Sequence, residues 1–216
     1  LEARKQIGSG MASLQVQASS EPFSAAISQA GEQQDFDLLI FGWRPAAGYG
    51  QLTQALSSGD HHLFLATQPV TRLSKALICL ASGEPGKDTV LFAGRLLRHM
   101  GAEATLLTVL PESRRRDLPE SRIDRFLRDG QRSLTRFGVP ARTIIKTGGL
   151  LPAIQEEMRT EHYDLVILGA PLPDRHGQVD LGQSIGPILS SVESCSFLII
   201  QSRYYQRLHH QLRREI

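Results

Sequence analysis

The feature that most constrains the fold is a regular alternation of two apolar patterns from Lys75 onward. Short continuous apolar runs are typical of strands buried on both faces, whereas apolar residues three and four positions apart are typical of helices that pack by one side. The strand-like runs are residues 76–80, 104–110, 141–147, 164–170 and 195–200. Helical patterns separate them, as the crossovers between parallel strands require. The sequence therefore predicts an α/β fold, doubly wound around a five-stranded parallel sheet.

Polar and glycine residues predict the ends of these elements. Asp88 precedes the apolar series of the first helix and is expected to be its N-cap. Gly101 is expected to end that helix, and Gly138 to end the longer helix after the second strand. The last strand-like run, residues 195–200, is expected to be an apolar edge of the sheet that another subunit covers.

Residues 1–69 repeat the second half of this pattern in weaker form. In chain order they predict a strand, a helix, a strand, a short helix and a strand, over "SLQVQAS", "SEPFSAAISQAGEQQ", "FDLLIFG", "QLTQALSSG" and "HHLFLAT". We therefore expect three parts: the back half of a diverged copy at 1–69, a complete domain at 70–202 and a basic amphipathic tail at 203–216. The first strand of such a domain normally lies near the sheet centre, so another chain, or a preceding part of a longer chain, is expected to complete the first copy.

Composition excludes several classes of function. The net charge of +2 is too small to indicate a nucleic-acid partner. The longest apolar runs have the length of strands and not of membrane spans. The two cysteines, each inside an apolar run, give neither a disulfide framework nor a metal-ligand spacing. A protein of the reducing cytoplasm without a metal is expected.

The stretch "LGAPLPDRHGQVDLGQSIGP", residues 168–187, joins the fourth strand to the last helix and carries two glycines 13 positions apart, Gly169 and Gly182. This interval, the strand "DLVILGA" and the order of the elements resemble the universal stress protein family, in a tandem arrangement with a truncated, diverged first copy. The resemblance implies a Rossmann-like domain. In the nucleotide-binding branch of that family, a loop of Gly, two residues, Gly, nine residues, Gly and Ser or Thr wraps the phosphates and ribose of ATP.

The resemblance implies a site for ATP or another adenine nucleotide in this loop. Gly169 and Gly182 match the outer glycines of the family pattern, where backbone N–H groups approach anionic oxygens. Leu172 stands at the position of the middle glycine. Gln183 stands at the position of the hydroxyl residue, and Ser184 follows it.

The resemblance also implies contacts from the ends of the first two strands. Ala81, Ser82 and Gly83 are expected to border the base, and Val109 to contribute backbone contacts. Ala81 stands where the nucleotide-binding branch usually has an aspartate. Three of the five marker positions of that branch are therefore changed in this sequence.

These features predict a non-catalytic regulatory or stress-response module that acts as a homodimer or with the chain that completes the first copy. An alternative is the cytosolic C-terminal regulatory domain of a membrane transporter such as a cation/proton antiporter, where tandem domains of this type are known. The incomplete first copy and a first residue of Leu instead of Met motivate this alternative.

An ATP-using hydrolase is the third hypothesis. The stretch "ASGEPGKDT", residues 81–89, contains a Gly-Lys pair after a strand, as a Walker A loop does. Ala81 replaces the first glycine of that motif, and Asp88 replaces the hydroxyl residue that would hold magnesium. A carboxylate at this position would repel phosphate, so this hypothesis is disfavoured.

Two further sets of polar side chains were considered for catalysis or metal binding. Ser184, His176 and either Asp174 or Asp180 lie close in sequence, but no nucleophile elbow surrounds the serine, and a triad is not expected. His61 and His62 are adjacent in a strand-like run. Neighbouring strand residues point to opposite faces, so one metal is not expected to bind both imidazoles.

Overall fold

The computed structural model describes residues 25–27, 29, 36–44, 49–59, 61–67, 72–80, 84–112, 120–174, 178–181, 185–192 and 195–202. In chain order its strands and helices are β1 (Leu38–Gly42), α1 (Gly50–Ser58), β2 (His62–Ala66), β3 (Lys75–Cys79), α2 (Glu84–Met100), β4 (Glu103–Leu110), α3 (Glu120–Arg136), β5 (Ala141–Thr147), α4 (Leu150–Thr160), β6 (Leu165–Gly169), α5 (Gly186–Ser191) and β7 (Ser196–Ile200). Residues 25–27 and 29 are also helical. The alternation of strands and helices confirms the predicted α/β class.

The described strands form one seven-stranded sheet in the order β1-β2-β7-β6-β3-β4-β5. All neighbouring pairs are parallel except β2 and β7, which are antiparallel. β3 lies between β6 and β4, so the five-stranded part winds outwards in both directions from its centre. This doubly wound order brings the carboxyl ends of β3, β4 and β6 to one edge of the sheet, where open α/β sheets bind ligands.

Helices cover both faces of the sheet because its strands are apolar on both sides. α1, α4 and α5 pack on one face, in a core that contains Leu65, Leu77 and Ile154. α2 and α3 pack on the other face, around Ile78 and Leu97. Alternate residues of one strand enter the two cores, which explains the continuous apolar runs of the sequence. No helix in the described ranges has the length and apolar character that a membrane crossing requires.

The last strand, β7, lies inside the sheet and not at its edge. We expected residues 195–200 to form an apolar edge that another subunit covers. Instead β2 pairs with β7, with Phe64 opposite Leu198, and all five residues of β7 are buried. The expectation was wrong because the N-terminal part of the same chain covers the strand, and apolar periodicity does not show which strands pair.

The segment formed by β1, α1 and β2, which we call the N-terminal unit, follows the same path as β6, α5 and β7. In each segment the two strands are parallel neighbours, and the first strand ends in glycine, Gly42 or Gly169. The two differ in burial, since the apolar residues of β6 are buried whereas Ile40 of β1 is 70% exposed. The predicted strand at 13–19 and the tail at 203–216 lie outside the described residues, so the half copy at 1–69 stays a prediction.

The predicted helix ends agree with the structure, and the predicted N-cap does not. Gly101 and Gly138 follow α2 and α3 with φ of 63° and 76°, the left-handed conformation that glycine tolerates. α2 begins at Glu84, four residues before Asp88. The Asp88 carboxylate therefore lies within the helix, where it accepts a hydrogen bond from Ser202 Oγ at 2.6 Å.

The N-terminal unit and the rest of the chain share one core, because Leu52 and Leu65 belong to the same apolar cluster as Leu168 and Phe197. We expect Leu65→Ala to lower the free energy of unfolding by about 2–5 kcal/mol and to shift a single transition of the whole chain. Trp43, the single tryptophan, reports the N-terminal unit by fluorescence, and far-UV circular dichroism reports all helices. The two denaturation curves should coincide in both proteins; separate curves would show that the unit folds by itself.

Candidate functional site

A cavity of about 350 Å³ opens at the edge of the sheet where β3, β4 and β6 end. Its lining residues are Cys79, Leu80, Gly86, Thr89, Val109, Pro111, Gly148, Leu150, Leu168, Gly169, Ala170, Pro171 and Ile185. They come from the ends of β3, β4, β5 and β6, the first two turns of α2, the first turn of α4, and the residue that precedes α5. This is the position at which doubly wound sheets bind small molecules.

The described lining of this cavity is mainly apolar and carries no charged side chain. Thr89, which is buried, contributes a hydroxyl group, and glycines expose backbone at several points. Burial raises the pKa of the Cys79 thiol far above its ordinary value, so this group is neutral. The surroundings suit a flat, weakly polar group better than an isolated charge.

Two of the predicted ligand residues, Val109 and Gly169, line the cavity. Leu172 is described but is 52% exposed and is not part of the lining. The other six predicted residues lie outside the described part of the chain: Ala81, Ser82, Gly83, Gly182, Gln183 and Ser184. They adjoin described lining residues, since Ala81 follows Leu80 and Ser184 precedes Ile185.

Sequence reasoning missed the side of the cavity formed by Thr89, Gly148 and Leu150. Gly148 follows β5 with φ of 112°, and its N–H donates to the carbonyl of Leu110 at 2.9 Å. The available signal was the position of these residues just after predicted strands or at helix starts. Those positions become neighbours only when the strand order is known.

The Gly-Lys pair of the considered Walker A loop lies in a helix. Gly86 and Lys87 belong to the first turn of α2, which begins at Glu84. The motif has four loop residues between its first glycine and Gly-Lys, and these positions are residues 82–85 here. The helix already begins at Glu84, so only residues 81–83 separate it from Leu80. This geometry argues against a Walker-type phosphate site.

Among the described residues, the other polar side chains considered in the sequence analysis form neither a catalytic group nor a metal site. The ring of His62 packs against Phe92, with centroids 4.0 Å apart, whereas the ring of His61 contacts Phe36 at 5.1 Å. The Asp174 carboxylate accepts a hydrogen bond from the backbone of Gln178 at 2.9 Å; His176 and Ser184 lie outside the description. In the described ranges, no group of three or more His, Cys, Asp or Glu residues could hold a metal ion.

A polar network, in which Tyr163 and Glu157 are buried and Arg142 is half exposed, lies near the opposite, amino-terminal edge of the sheet. Its centre is Tyr163, a fully buried residue whose hydroxyl donates to Glu157 Oε1 at 2.8 Å. Arg142 donates to the same carboxylate at 3.0 Å and to the Tyr163 hydroxyl at 2.8 Å. Its Nε also donates to Thr105 Oγ1 at 3.0 Å. The network therefore joins β4, β5 and α4 to the short segment that precedes β6.

This network fixes the helix whose first residue lines the cavity. Glu157 lies in the last turns of α4, and Leu150 is the first residue of that helix. Arg142 and Lys75 also bind the carboxylate of Glu161, just after the helix. These contacts hold α4 against the sheet at one end, so the position of Leu150 at the other end depends on them.

The protonation state of Glu157 links this network to pH. Burial alone would raise the pKa of the Glu157 carboxyl, but hydrogen bonds from Tyr163 and Arg142 and the charge of Lys146 outweigh burial and lower the pKa below its ordinary value. A folded-state pKa below the unfolded one means that the folded protein binds fewer protons in acid. The stabilisation is complete above the unfolded carboxyl pKa of about 4.3 and is lost as the pH falls through the folded pKa.

We therefore expect Glu157→Gln to destabilise the protein by about 1–3 kcal/mol at pH 7, because two cations lose their buried partner. The difference in melting temperature between this variant and the wild-type protein should shrink as the pH is lowered towards 3. Glu156→Gln is the matched control, because this side chain is 63% exposed and pairs with Lys146 at 3.1 Å. Parallel curves of melting temperature against pH for wild type and Glu157→Gln would contradict the network's role.

No protein-family model and no curated protein matches the sequence. Solved structures match it in fold. A universal stress protein from Archaeoglobus fulgidus DSM 4304 superimposes with a TM-score of 0.62 at 12% identity, over 83% of this chain and 65% of that one. A functionally unknown protein from Pseudomonas aeruginosa PAO1 superimposes with a TM-score of 0.66 at 12% identity, over 92% of this chain and 74% of that one. The chain thus spans 65% of the length of the Archaeoglobus protein, and it has the universal stress protein fold.

Proposed function

We propose that this chain is a non-catalytic regulatory module of the stress-response type, and that its cavity binds an adenine nucleotide. The observation that carries the proposal is the cavity of about 350 Å³ at the carboxyl ends of β3, β4 and β6. It lies where doubly wound domains bind nucleotides. The similarity of fold to a universal stress protein supports the same assignment.

The chemistry of the cavity suits the base and sugar of such a ligand. Leu80, Val109 and Leu168 offer an apolar surface for a flat base. The Thr89 hydroxyl and the backbone around Gly169 offer hydrogen-bonding groups at one side. A volume of about 350 Å³ is within the usual range of small-molecule sites.

The phosphates are assigned to the segment Gly182, Gln183 and Ser184, which adjoins the cavity through Ile185. The exposed Leu172 side chain, at the position of the family's middle glycine, is assigned a place at the outer rim of this segment. Ala81, Ser82 and Gly83, which follow the lining residue Leu80, are assigned to the border of the base. The altered pattern is expected to weaken phosphate binding and leave more of the affinity to the base.

The module is proposed to bind its ligand without breaking bonds. The described lining has no carboxylate, imidazole or amine to act as a general acid or base. Ligand binding would instead shift the population of conformations or assemblies. The proposed assembly is a homodimer, or a complex with the chain that completes the N-terminal unit. No described feature favours the transporter alternative over this assignment.

Filling the cavity from the strand end should abolish binding. A Cβ added at Gly169 would lie 3.6 Å from Thr89 Oγ1, an ordinary contact, and the two further methyl groups of Gly169→Val are expected to fill part of the cavity that this residue lines. We expect at least about a tenfold loss of affinity for ATP, AMP and adenosine. Isothermal titration calorimetry measures the affinity, and native mass spectrometry counts one nucleotide per chain.

Gly42→Val is the matched control, because Gly42 ends β1 as Gly169 ends β6 and has open space around its Cβ position. This variant should bind as the wild-type chain does. If the wild-type chain binds no nucleotide at millimolar ATP, the proposed function is wrong. Equal affinity of wild type and Gly169→Val would place the nucleotide elsewhere.

A further inference from the structure

The loop between β6 and α5 packs against the N-terminal unit. Val179, Leu181 and Ile185 of this loop are buried, with exposed fractions of 3%, 1% and 3%. They belong to the same apolar cluster as Leu52 and Leu56 of α1. The loop that carries the predicted phosphate segment is therefore bound to a helix outside the five-stranded part of the sheet.

A side chain of α1 also bonds to the backbone of this loop. The N–H of Val179 donates to Ser57 Oγ at 3.1 Å. The neighbouring Ser58 does not take part, since its Oγ donates to the carbonyl of Ala55 in its own helix at 2.9 Å. Ser57 thus holds the loop on the side that precedes residues 182–184.

Tyr49, just before α1, holds the other side of the same segment. Its hydroxyl donates to the carbonyl of Gly186 at 2.7 Å, and it also hydrogen-bonds to Ser190 Oγ. The ring packs closely on the start of α5, because a Cβ added at Gly186 would lie 3.3 Å from Tyr49 Cε2. The Tyr49 ring also stacks on Trp43, with a centroid distance of 6.0 Å.

The segment assigned to the phosphates lies between these two contacts. Gly182, Gln183 and Ser184 connect Leu181, which packs on α1, to Ile185, which lines the cavity and adjoins the helix that Tyr49 holds. The ends of this segment are therefore positioned by contacts from the N-terminal unit. Because Ile185 lines the cavity and directly precedes Gly186, to which Tyr49 donates, the cavity and the N-terminal unit contact neighbouring residues of the chain.

We propose that the N-terminal unit sets the ligand affinity of the cavity, with Tyr49 and Ser57 as positioning residues for the loop between β6 and α5. This inference rests on the proposed nucleotide site and adds the element that regulates it. Because coupling between two sites is reciprocal, ligand binding must also change the surroundings of Tyr49 and of Trp43 stacked on it. If Tyr49 and Ser57 acted in packing alone, their substitution would lower the stability of the protein. It would not selectively raise amide exchange in this loop or weaken ligand binding at the cavity.

Hydrogen exchange tests the positioning role without any ligand. In Tyr49→Phe the ring and its stacking on Trp43 remain while the hydroxyl is lost, and in Ser57→Ala the acceptor for Val179 is lost. Each variant should raise the exchange rates of the amides in residues 178–192 by about two- to tenfold and leave the other amides unchanged. Ser58→Ala, the matched control, should exchange as wild type does. Unchanged rates, or a uniform rise over the whole chain, would overturn the positioning role.

Ligand titration tests the coupling. Tyr49→Phe and Ser57→Ala should each weaken ATP binding by about two- to tenfold, and Ser58→Ala should bind as wild type. ATP should change the fluorescence of Trp43 in wild type and change it less in Tyr49→Phe. If wild type binds ATP and neither variant alters affinity or fluorescence, the coupling is wrong and the proposed function stands. If wild type binds no nucleotide, the proposed function and the coupling are both wrong, and hydrogen exchange alone decides the positioning role.

Discussion

The antiparallel pairing of β2 with β7 joins the N-terminal unit to the remainder of the sheet. β7 is apolar and buried on both faces, so its backbone needs a hydrogen-bonded neighbour at each edge. β6 supplies one neighbour and β2 the other, with Leu65 opposite Phe197. This pairing places α1 on the same face of the sheet as α5. It is therefore the reason that Tyr49 and Ser57 reach the loop between β6 and α5.

The two ends of the sheet have different chemistry. At the carboxyl ends of β3, β4 and β6 the described residues form a mainly apolar cavity without charged side chains. Near the amino-terminal edge, Arg142 binds the buried side chains of Glu157 and Tyr163 in a network of hydrogen bonds and charge. Such a network is worth most when every member is satisfied, and then it fixes the elements that it joins. One end thus holds α4 in place, and the other leaves a space for a ligand.

The local sequence pattern predicted the positions of the strands and the ends of the helices. It did not predict which strands pair. β5 was predicted with its observed bounds, Ala141–Thr147, since four of its seven residues are the β-branched threonine and isoleucine that are typical of strands. The predicted start of α2 lies after the observed one, because Asp88 is a good N-cap residue. The helix begins at Glu84, with Pro85 in its first turn, where proline is favoured. Val109 and Gly169, which the family resemblance implied, line the cavity because each lies at the carboxyl end of a strand. Thr89 was missed because its place in the cavity depends on how α2 sits over the sheet.

Because the N-terminal unit and the rest of the chain share one core, the covalent link between β2 and β3 contributes little to holding the two parts together. Leu52 and Leu65 lie in one apolar cluster with Leu168 and Phe197, and the β2–β7 ladder joins the two parts through backbone hydrogen bonds. A protease that cuts between β2 and β3 would therefore leave two fragments that stay associated. Expressed as separate polypeptides, the two parts would be expected to reassemble by fragment complementation, as the halves of a split protein do.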